Sequence, residues 1–462
     1  MFIGRQTELG FLEDKYQADG GQLVIIYGRR RVGKTELLRK FCASKEHVFY
    51  SCTESLDSQQ LANFSERVLQ KGIPAAKYLN SFTNWEQALG SVAELPGNGK
   101  KLLIIDEFPY MVKGNNSIPS ILQNLWDAGL KDANVMIVLC GSATSFIEKE
   151  ILSEKNPLYG RTTGILKILP LDFYDSAQFF PSYSMEDKIT AYAILGGIPH
   201  YLKQFDSRLA LEQNICKNIL TRGSILYSEI EFLMRQELRE VSTYNMIIEA
   251  IALGNTGLND ISQKTQLDKT KLSAYLKNLR DLGIIYREFS MESPAKEQAN
   301  IQRGLYQITD NYFAFWYTFV FPNLSELETD DVDGIWRYVV QPELDRFTSH
   351  AFEDVCRQYL RRQNRKGLLP FRFTKIGRWW NKSEEVDIMA TESKKQKLLL
   401  GECKYKSSSF RKADLEHLQR KLPLAEKLPT YFYLFSKGGY TENVLKLVDE
   451  HIIAVDFHRL LD

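Results

Sequence analysis

Three apolar runs without polar alternation punctuate the first third of the chain: residues 23–27, Leu-Val-Ile-Ile-Tyr; 102–105, Leu-Leu-Ile-Ile; and 135–140, Val-Met-Ile-Val-Leu-Cys. Runs of this kind bounded by turn residues are the pattern of strands buried on both faces of a parallel sheet. Further along, the spacing turns helical. Residues 244–253, 258–265 and 269–282 predict three helices, Gly283 ends the third, and 284–288 predict a strand. The C-terminal part predicts a helix over 344–362, strands over 369–373, 385–389 and 397–404, a helix over about 412–425, and a strand over 430–435.

Chemistry sits at the ends of these runs. After the first comes Gly28-Arg29-Arg30-Arg31-Val32-Gly33-Lys34-Thr35, which fits G-x-x-x-x-G-K-[ST] and opens into a helix at Glu36. Gly28 and Gly33 let the backbone curl so that successive N–H groups point at one anion. Lys34 supplies charge to the outer phosphates and Thr35 a magnesium ligand. The second run ends in Asp106-Glu107, with Asp106 expected to hold magnesium through water and Glu107 to polarise an attacking water. The third ends in Gly141-Ser142-Ala143-Thr144. In a parallel sheet that strand lies beside the Asp106 strand, which puts Ser142 or Thr144 within reach of a terminal phosphate; a helix cap is the alternative there. The three pieces together predict nucleoside triphosphate binding.

Composition narrows the setting. A chain of 462 residues, 44% hydrophobic, suits about three domains of roughly 150 residues. No apolar stretch is long enough to predict a membrane span, and six scattered cysteines without a C-x-x-C pair predict reduced thiols, so the cytoplasm is expected. The net charge of +1 hides an asymmetry: Leu344 to Asp462 carries 23 Lys and Arg against 16 Asp and Glu. A basic segment on a near-neutral chain suits a polyanion.

Two regions give that polyanion a place to bind. The helices at 244–282 followed by a strand have the order of a winged helix, the third helix carrying Lys269, Lys271, Lys277 and Arg280 toward double-stranded DNA. A docking role is the alternative, since Asp268 and Asp281 dilute the charge. In the last domain Glu402 and Lys404 lie two apart on a strand and so face one side, with Asp387 at similar depth on a neighbouring strand. Carboxylates there would hold magnesium, and a water beside Lys404 would suit phosphodiester attack.

The nucleotide motifs, with the N-terminal box Phe2-Ile3-Gly4-Arg5-Gln6-Thr7-Glu8-Leu9, resemble the archaeal-type family of AAA-like ATPases. The resemblance implies ATP as the nucleotide and packing of Phe2, Ile3 and Gly4 against adenine. It makes Arg161 the candidate arginine that approaches the phosphates, in cis or from a neighbouring subunit, and Gly196-Gly197-Ile198-Pro199-His200-Tyr201-Leu202 part of a helical lid. Asp387 with Glu402-Cys403-Lys404 resembles the PD-(D/E)XK nuclease fold, which implies Asp387 and Glu402 as metal ligands, Lys404 as the residue that positions or activates water, and the helical Glu353 as an additional ligand; Val386 stands where that pattern often has proline.

The expected architecture is thus α/β multidomain. It runs as a P-loop NTPase core with a parallel sheet (1–170), a helical lid (171–240), a winged helix (241–292), a connection (293–343) and an α/β restriction-endonuclease-like domain (344–462). The expected activity is ATP hydrolysis with Mg2+, acting on DNA, with metal-dependent cleavage by the last domain; no membrane partner is expected and homo-oligomerisation is left open. The alternative is a nucleotide-controlled DNA- or protein-binding switch with an inactive nuclease-like domain.

Overall fold

The computed structural model describes residues 2–298, 300, 303–394, 396–421 and 427–461. The chain divides into two units, one comprising residues up to Pro170 with Ile198–His200, the other Leu171–Gly197 with Tyr201 onward.

In the first unit the elements run α1 (Gln6–Gln17), β1 (Gln22–Tyr27), α2 (Lys34–Cys42), β2 (His47–Ser51), α3 (Asp57–Leu69), β3 (Lys101–Asp106), α4 (Phe108–Gly114), β4 (Val135–Gly141) and β5 (Gly164–Lys167). The strands form one parallel sheet in the order β2-β3-β4-β1-β5. Every residue of β1 and β4 is buried, which explains the unbroken apolar runs: both faces of these central strands are covered, so neither tolerates polar alternation. Truncating a side chain in this layer, such as Leu103 or Ile137, both essentially inaccessible, should cost about 2–5 kcal/mol. Because β4 pairs with β1 on one side and β3 on the other, with Tyr27 opposite Gly141 and Ile105 opposite Leu139, the segments after all three strands leave the sheet at one edge.

The second unit contains α5 (Met185–Leu195), α6 (Ile225–Glu237), α7 (Val241–Ala252), α8 (Leu258–Thr265), α9 (Lys269–Asp281), β6 (Ile285–Glu288), β7 (Leu305–Ile308), α10 (Gln341–Lys366), β8 (Lys375–Trp380), β9 (Glu385–Thr391), β10 (Leu398–Lys404), α11 (Lys412–Lys421), β11 (Thr430–Ser436) and β12 (Ile452–Val455). The predicted helices at 244–282 are α7 to α9. The Asp268 side chain caps α9 by accepting a 2.8 Å bond from the Thr270 N–H, and Gly283 turns the chain out with φ of 70°. Strand β6 pairs antiparallel with β7, so residues expected to be connection, within 293–343, supply the second strand of a hairpin.

Strands β8 to β12 form a second sheet, ordered β12-β11-β10-β9-β8. One face packs on α10 through Phe352, Val355 and Leu360 against Leu399 and Tyr433. The other packs on α11 through Leu415 and Leu418 against Leu398, Leu400 and Leu434. The alternation along β10 therefore sends even-numbered side chains toward α11. Residues 369–373, expected as a strand, are not one: Pro370 lacks a ladder donor, Phe371 and Phe373 are buried as plugs in the α10-side core, and Asn364 holds Phe373 at both its N–H and its carbonyl. The helix expected over 412–425 is α11; its expected end at Ala425 lies outside the described residues.

At the sheet's last strand, the chain after β6 runs alongside β8. The Met291 N–H donates to the Arg378 carbonyl at 3.0 Å, Ser290 Oγ accepts from the Trp380 N–H at 3.0 Å, and Glu292 accepts from the Trp379 indole at 2.9 Å. Among the described residues no helix is long and apolar enough to cross a membrane.

Candidate functional site

The loop between β1 and α2 can curl only because of its glycines. A Cβ on Gly28 would stand 2.4 Å from the Ile168 carbonyl oxygen, and Gly33, with φ of 96°, begins α2 in a left-handed conformation. Inside the curl the buried Lys34 ammonium donates to the Gly28 carbonyl at 2.8 Å and the Arg29 carbonyl at 3.0 Å. Burial pulls the Lys34 pKa down, so an anion beside it would be doubly welcome, offsetting both the charge and its desolvation.

The expected partners converge on it. Thr35 Oγ1 donates to Asp106 Oδ2 at 2.8 Å, and Asp106 Oδ1 accepts from the Glu107 N–H at 3.1 Å. Glu107, with φ of 55°, turns sharply off the strand end, and its Oε2 accepts from the Ser142 N–H at 3.2 Å and hydroxyl at 2.8 Å. Lys34, Thr35, Asp106, Glu107 and Ser142 therefore form one constellation at the edge where β1, β3 and β4 end. The Thr35 hydroxyl and Asp106 carboxylate, already in contact, are the oxygen donors that would hold magnesium, which takes one or two carboxylate ligands beside phosphate oxygens. Burial, then the Asp106 charge, pushes the adjacent Cys140 thiol up, so it stays neutral.

The rest of the loop is fixed from outside. Arg5 is buried; its guanidinium donates to the Val32 carbonyl at 3.0 Å and pairs with Glu8 at 2.7 Å. It ties the N-terminal box, with buried Ile3 and Gly4, to the phosphate loop. Arg31, with φ of 67°, meets His200 Nε2 at 2.5 Å, and Pro199 lies 3.7 Å from where a Gly33 Cβ would stand. Arg29 contributes its carbonyl, Arg30 is half-buried, and Glu36 is exposed beside Arg39 at 4.0 Å. The sequence placed Arg5 in the N-terminal box and His200 in the lid segment but could not show that either touches the phosphate loop, since both contacts cross long stretches of chain.

Arg161 stands apart. Its guanidinium grips Asp127 through two nitrogens, at 2.7 and 3.1 Å, in a concavity it shares with Gly21, Lys131 and Thr163. Gly21 precedes β1 whereas the phosphate loop follows it, and six residues of strand separate the two ends by roughly 20 Å. Of the two routes expected for Arg161 to the phosphates, the one in cis is thus corrected, and the one from a neighbouring subunit is left.

The C-terminal constellation differs in kind. Glu402 and Lys404 do share a face, and each has an ionic partner on α11: Lys421 Nζ lies 2.8 Å from Glu402, and Lys404 Nζ 2.6 Å from Asp414. Asp387 lies one register step beyond the Ile388 and Gly401 pair, and its Oδ2 accepts from the Cys403 N–H at 2.7 Å. Burial, then the Glu402 charge, pushes the Asp387 carboxyl up; burial, then Asp387, pushes Glu353 up. Glu353 is held by Arg357 at 3.7 Å. The expected set of three metal carboxylates is corrected to fewer: Glu353 and Glu402 have the internal cationic partners Arg357 and Lys421, and among the described residues no group of three or more His, Cys, Asp or Glu side chains gathers as a metal site. The facing pair Asp387 and Glu402, whose mutual repulsion a cation would relieve, still fits magnesium, which needs no more than two carboxylates.

Residues 2–205 match a family described as an ATPase domain predominantly from Archaea, and residues 316–416 one described as "Archaea bacterial proteins of unknown function". MJECL04 of Methanocaldococcus jannaschii is 34% identical over 429 residues, covering 93% of this chain and 92% of that protein. Among solved structures, the Walker-type ATPase PABY2304 of Pyrococcus abyssi is 20% identical, with a TM-score of 0.49, over 68% of this chain and 96% of its own. The Aeropyrum pernix ORC2 protein is 14% identical, with a TM-score of 0.42, over 72% of this chain and 93% of its own.

Proposed function

We propose that this chain, which belongs to the family of P-loop ATPases predominantly from Archaea, hydrolyses ATP with magnesium and uses the cycle to control its second unit on double-stranded DNA. The observation that carries the ATPase reading is the Lys34 ammonium resting on two backbone carbonyls inside a loop whose next residue, Thr35, reaches Asp106. With nucleotide bound, Lys34 would exchange those carbonyls for outer phosphate oxygens, and Thr35 and Asp106 would hold the cation that offsets phosphate charge. Glu107 accepts the hydrogen bond of the attacking water, with its carboxylate oriented by Ser142. Phosphate release with Glu107→Gln tests this: nucleotide binding should persist while turnover falls about 100-fold, and unimpaired turnover would remove Glu107 from the role.

In this proposal α7 to α9 with the β6 and β7 hairpin are a winged helix, with Lys269, Lys271, Lys277 and Arg280 exposed on α9 and facing DNA phosphates. The sheet of β8 to β12 is a PD-(D/E)XK-like domain, with Asp387 and Glu402 as cation ligands and Lys404 beside the attacking water. A second reading, a nucleotide-controlled switch whose nuclease-like domain only grips, has an observation of its own. The cleft beside α9 is lined by Glu237, Glu240 and Asp281 as well as Arg239, Lys271 and Lys277, an even balance of charge better suited to a protein than to a phosphate backbone. Cleavage assays on DNA and RNA with magnesium or manganese divide the two. Wild-type cutting that Asp387→Ala abolishes, with ATP turnover retained, supports the first; no cutting with any form leaves the second.

A further inference from the structure

We infer that Lys421 is the resident counter-ion of the C-terminal carboxylate pair and that a divalent cation must displace its ammonium to bind there. The inference rests on the proposed cation role of Asp387 and Glu402. Glu402 and Lys404 point to α11 because even-numbered side chains of β10 face that helix, as Leu398 and Leu400 do. On α11, Asp414 and Lys421 are seven residues apart, two turns, and so share one stripe of the helix. The charges meet crosswise: the strand's acid takes the helix's base at 2.8 Å and the strand's base takes the helix's acid at 2.6 Å.

These are not loose surface pairs. Lys421 is 10% exposed, Asp414 15%, Glu402 17% and Lys404 24%, so screening by water is weak and each attraction counts for more than an exposed pair would. Lys404 is further fixed over the Phe410 ring, 4.9 Å from its centroid. At the mouth of the carboxylate pair, then, an ammonium occupies the ground a divalent ion needs, and the lysine expected beside the attacking water is tied to Asp414. Lys421 ends the described part of α11. Rotation of its four-carbon stem is enough to leave Glu402, without unfolding the helix, so the site has a closed and an open state that differ by one side chain. Lys421 is in this sense a positioning residue: it sets how tightly the cation binds and takes no part in the chemistry.

The test is manganese binding to the full chain, by calorimetry and by the electron paramagnetic signal of free manganese, without nucleotide and in a Lys34→Ala, Asp106→Asn background that weakens the ATP site. Lys421→Met, which keeps the apolar stem, should raise manganese affinity about ten-fold or more by removing a competing unit charge. Adding Asp387→Asn should erase that gain, and Lys421→Arg should bind as the unsubstituted lysine does. Unchanged or weaker binding by Lys421→Met, or an equal gain in Lys421→Arg, overturns the inference. If folding of Lys421→Met is impaired, manganese should restore its melting temperature more than that of the parent; equal shifts count against it. A chain that gains manganese affinity yet never cuts nucleic acid loses the nuclease reading and keeps this one.

Discussion

The two ionic centres use lysine in opposite ways. Lys34 is buried and donates to carbonyl oxygens that carry only partial charge, with the Glu107 and Asp106 carboxylates acting on it through space. Lys404 and Lys421 each face a full carboxylate. A lysine of the first kind can meet an anion by giving up only the partial charges of two carbonyls. A lysine of the second kind is already matched, so a ligand can enter only by exchange. The P-loop site is therefore poised, and the C-terminal site is self-satisfied until a partner is displaced.

The largest break in this comparison should come from Lys34→Ala, which removes the ammonium from the phosphate loop. Triphosphate affinity should fall about ten-fold or more, measured with a fluorescent ATP analogue; equal binding would mean that the loop amides alone hold the phosphates. A smaller effect should sharpen the other half. Asp387 has its carboxyl pushed up in the folded chain. As pH rises above the ordinary carboxylate range near about 4, the unfolded chain releases this proton while the folded chain keeps it. The unfolded state then binds fewer protons, and stability falls with pH until the folded group also ionises. Asp387→Asn removes that slope. Relative to wild type it should gain on the order of 1 kcal/mol between about pH 5 and about pH 8 in urea unfolding; parallel curves would place Asp387 in a solvated setting. The smallest effect is expected at Arg161→Ala, whose partner is Asp127 at the far end of the sheet. ATP turnover of the monomeric chain should stay within about two-fold of wild type, and a large loss appearing only at high protein concentration would bring in a neighbouring subunit's arginine.

The nucleotide site was legible because its chemistry is local. Residues 28 to 35 are consecutive, and Asp106, Glu107 and Ser142 each follow a strand that could be recognised by its unbroken apolar run. The position of Arg161, a candidate through the resemblance alone, could not be read from the chain because β5, only four residues long and exposed at alternate positions, gives no such signal. Once β5 is known to run parallel beside β1, with Gly164 opposite Val24, a residue just before it must lie at the end of the sheet where β1 begins. The face shared by Glu402 and Lys404 followed from strand periodicity alone. Their partners did not, since the spacing of Asp414 and Lys421 marks a helix stripe but cannot say which strand the stripe meets. Arg5 and His200 escaped for the same reason. Residues 369–373 have the apolar content of a strand, but Pro370 withholds a ladder donor and Asn364 takes both backbone groups of Phe373.

The short crossing of Ser290 to Glu292 beside β8 has a bearing on the protein's life in solution. A final strand with its backbone groups bare is a template on which another copy can add itself, and sheets so exposed are the seeds of aggregates. Here the ladder's outer row is covered by the chain's own passing segment, with Met291 against Gly377 and the Trp379 indole tethered to Glu292. Loosening that crossing would bare the outer row of β8 to whatever strand came near it.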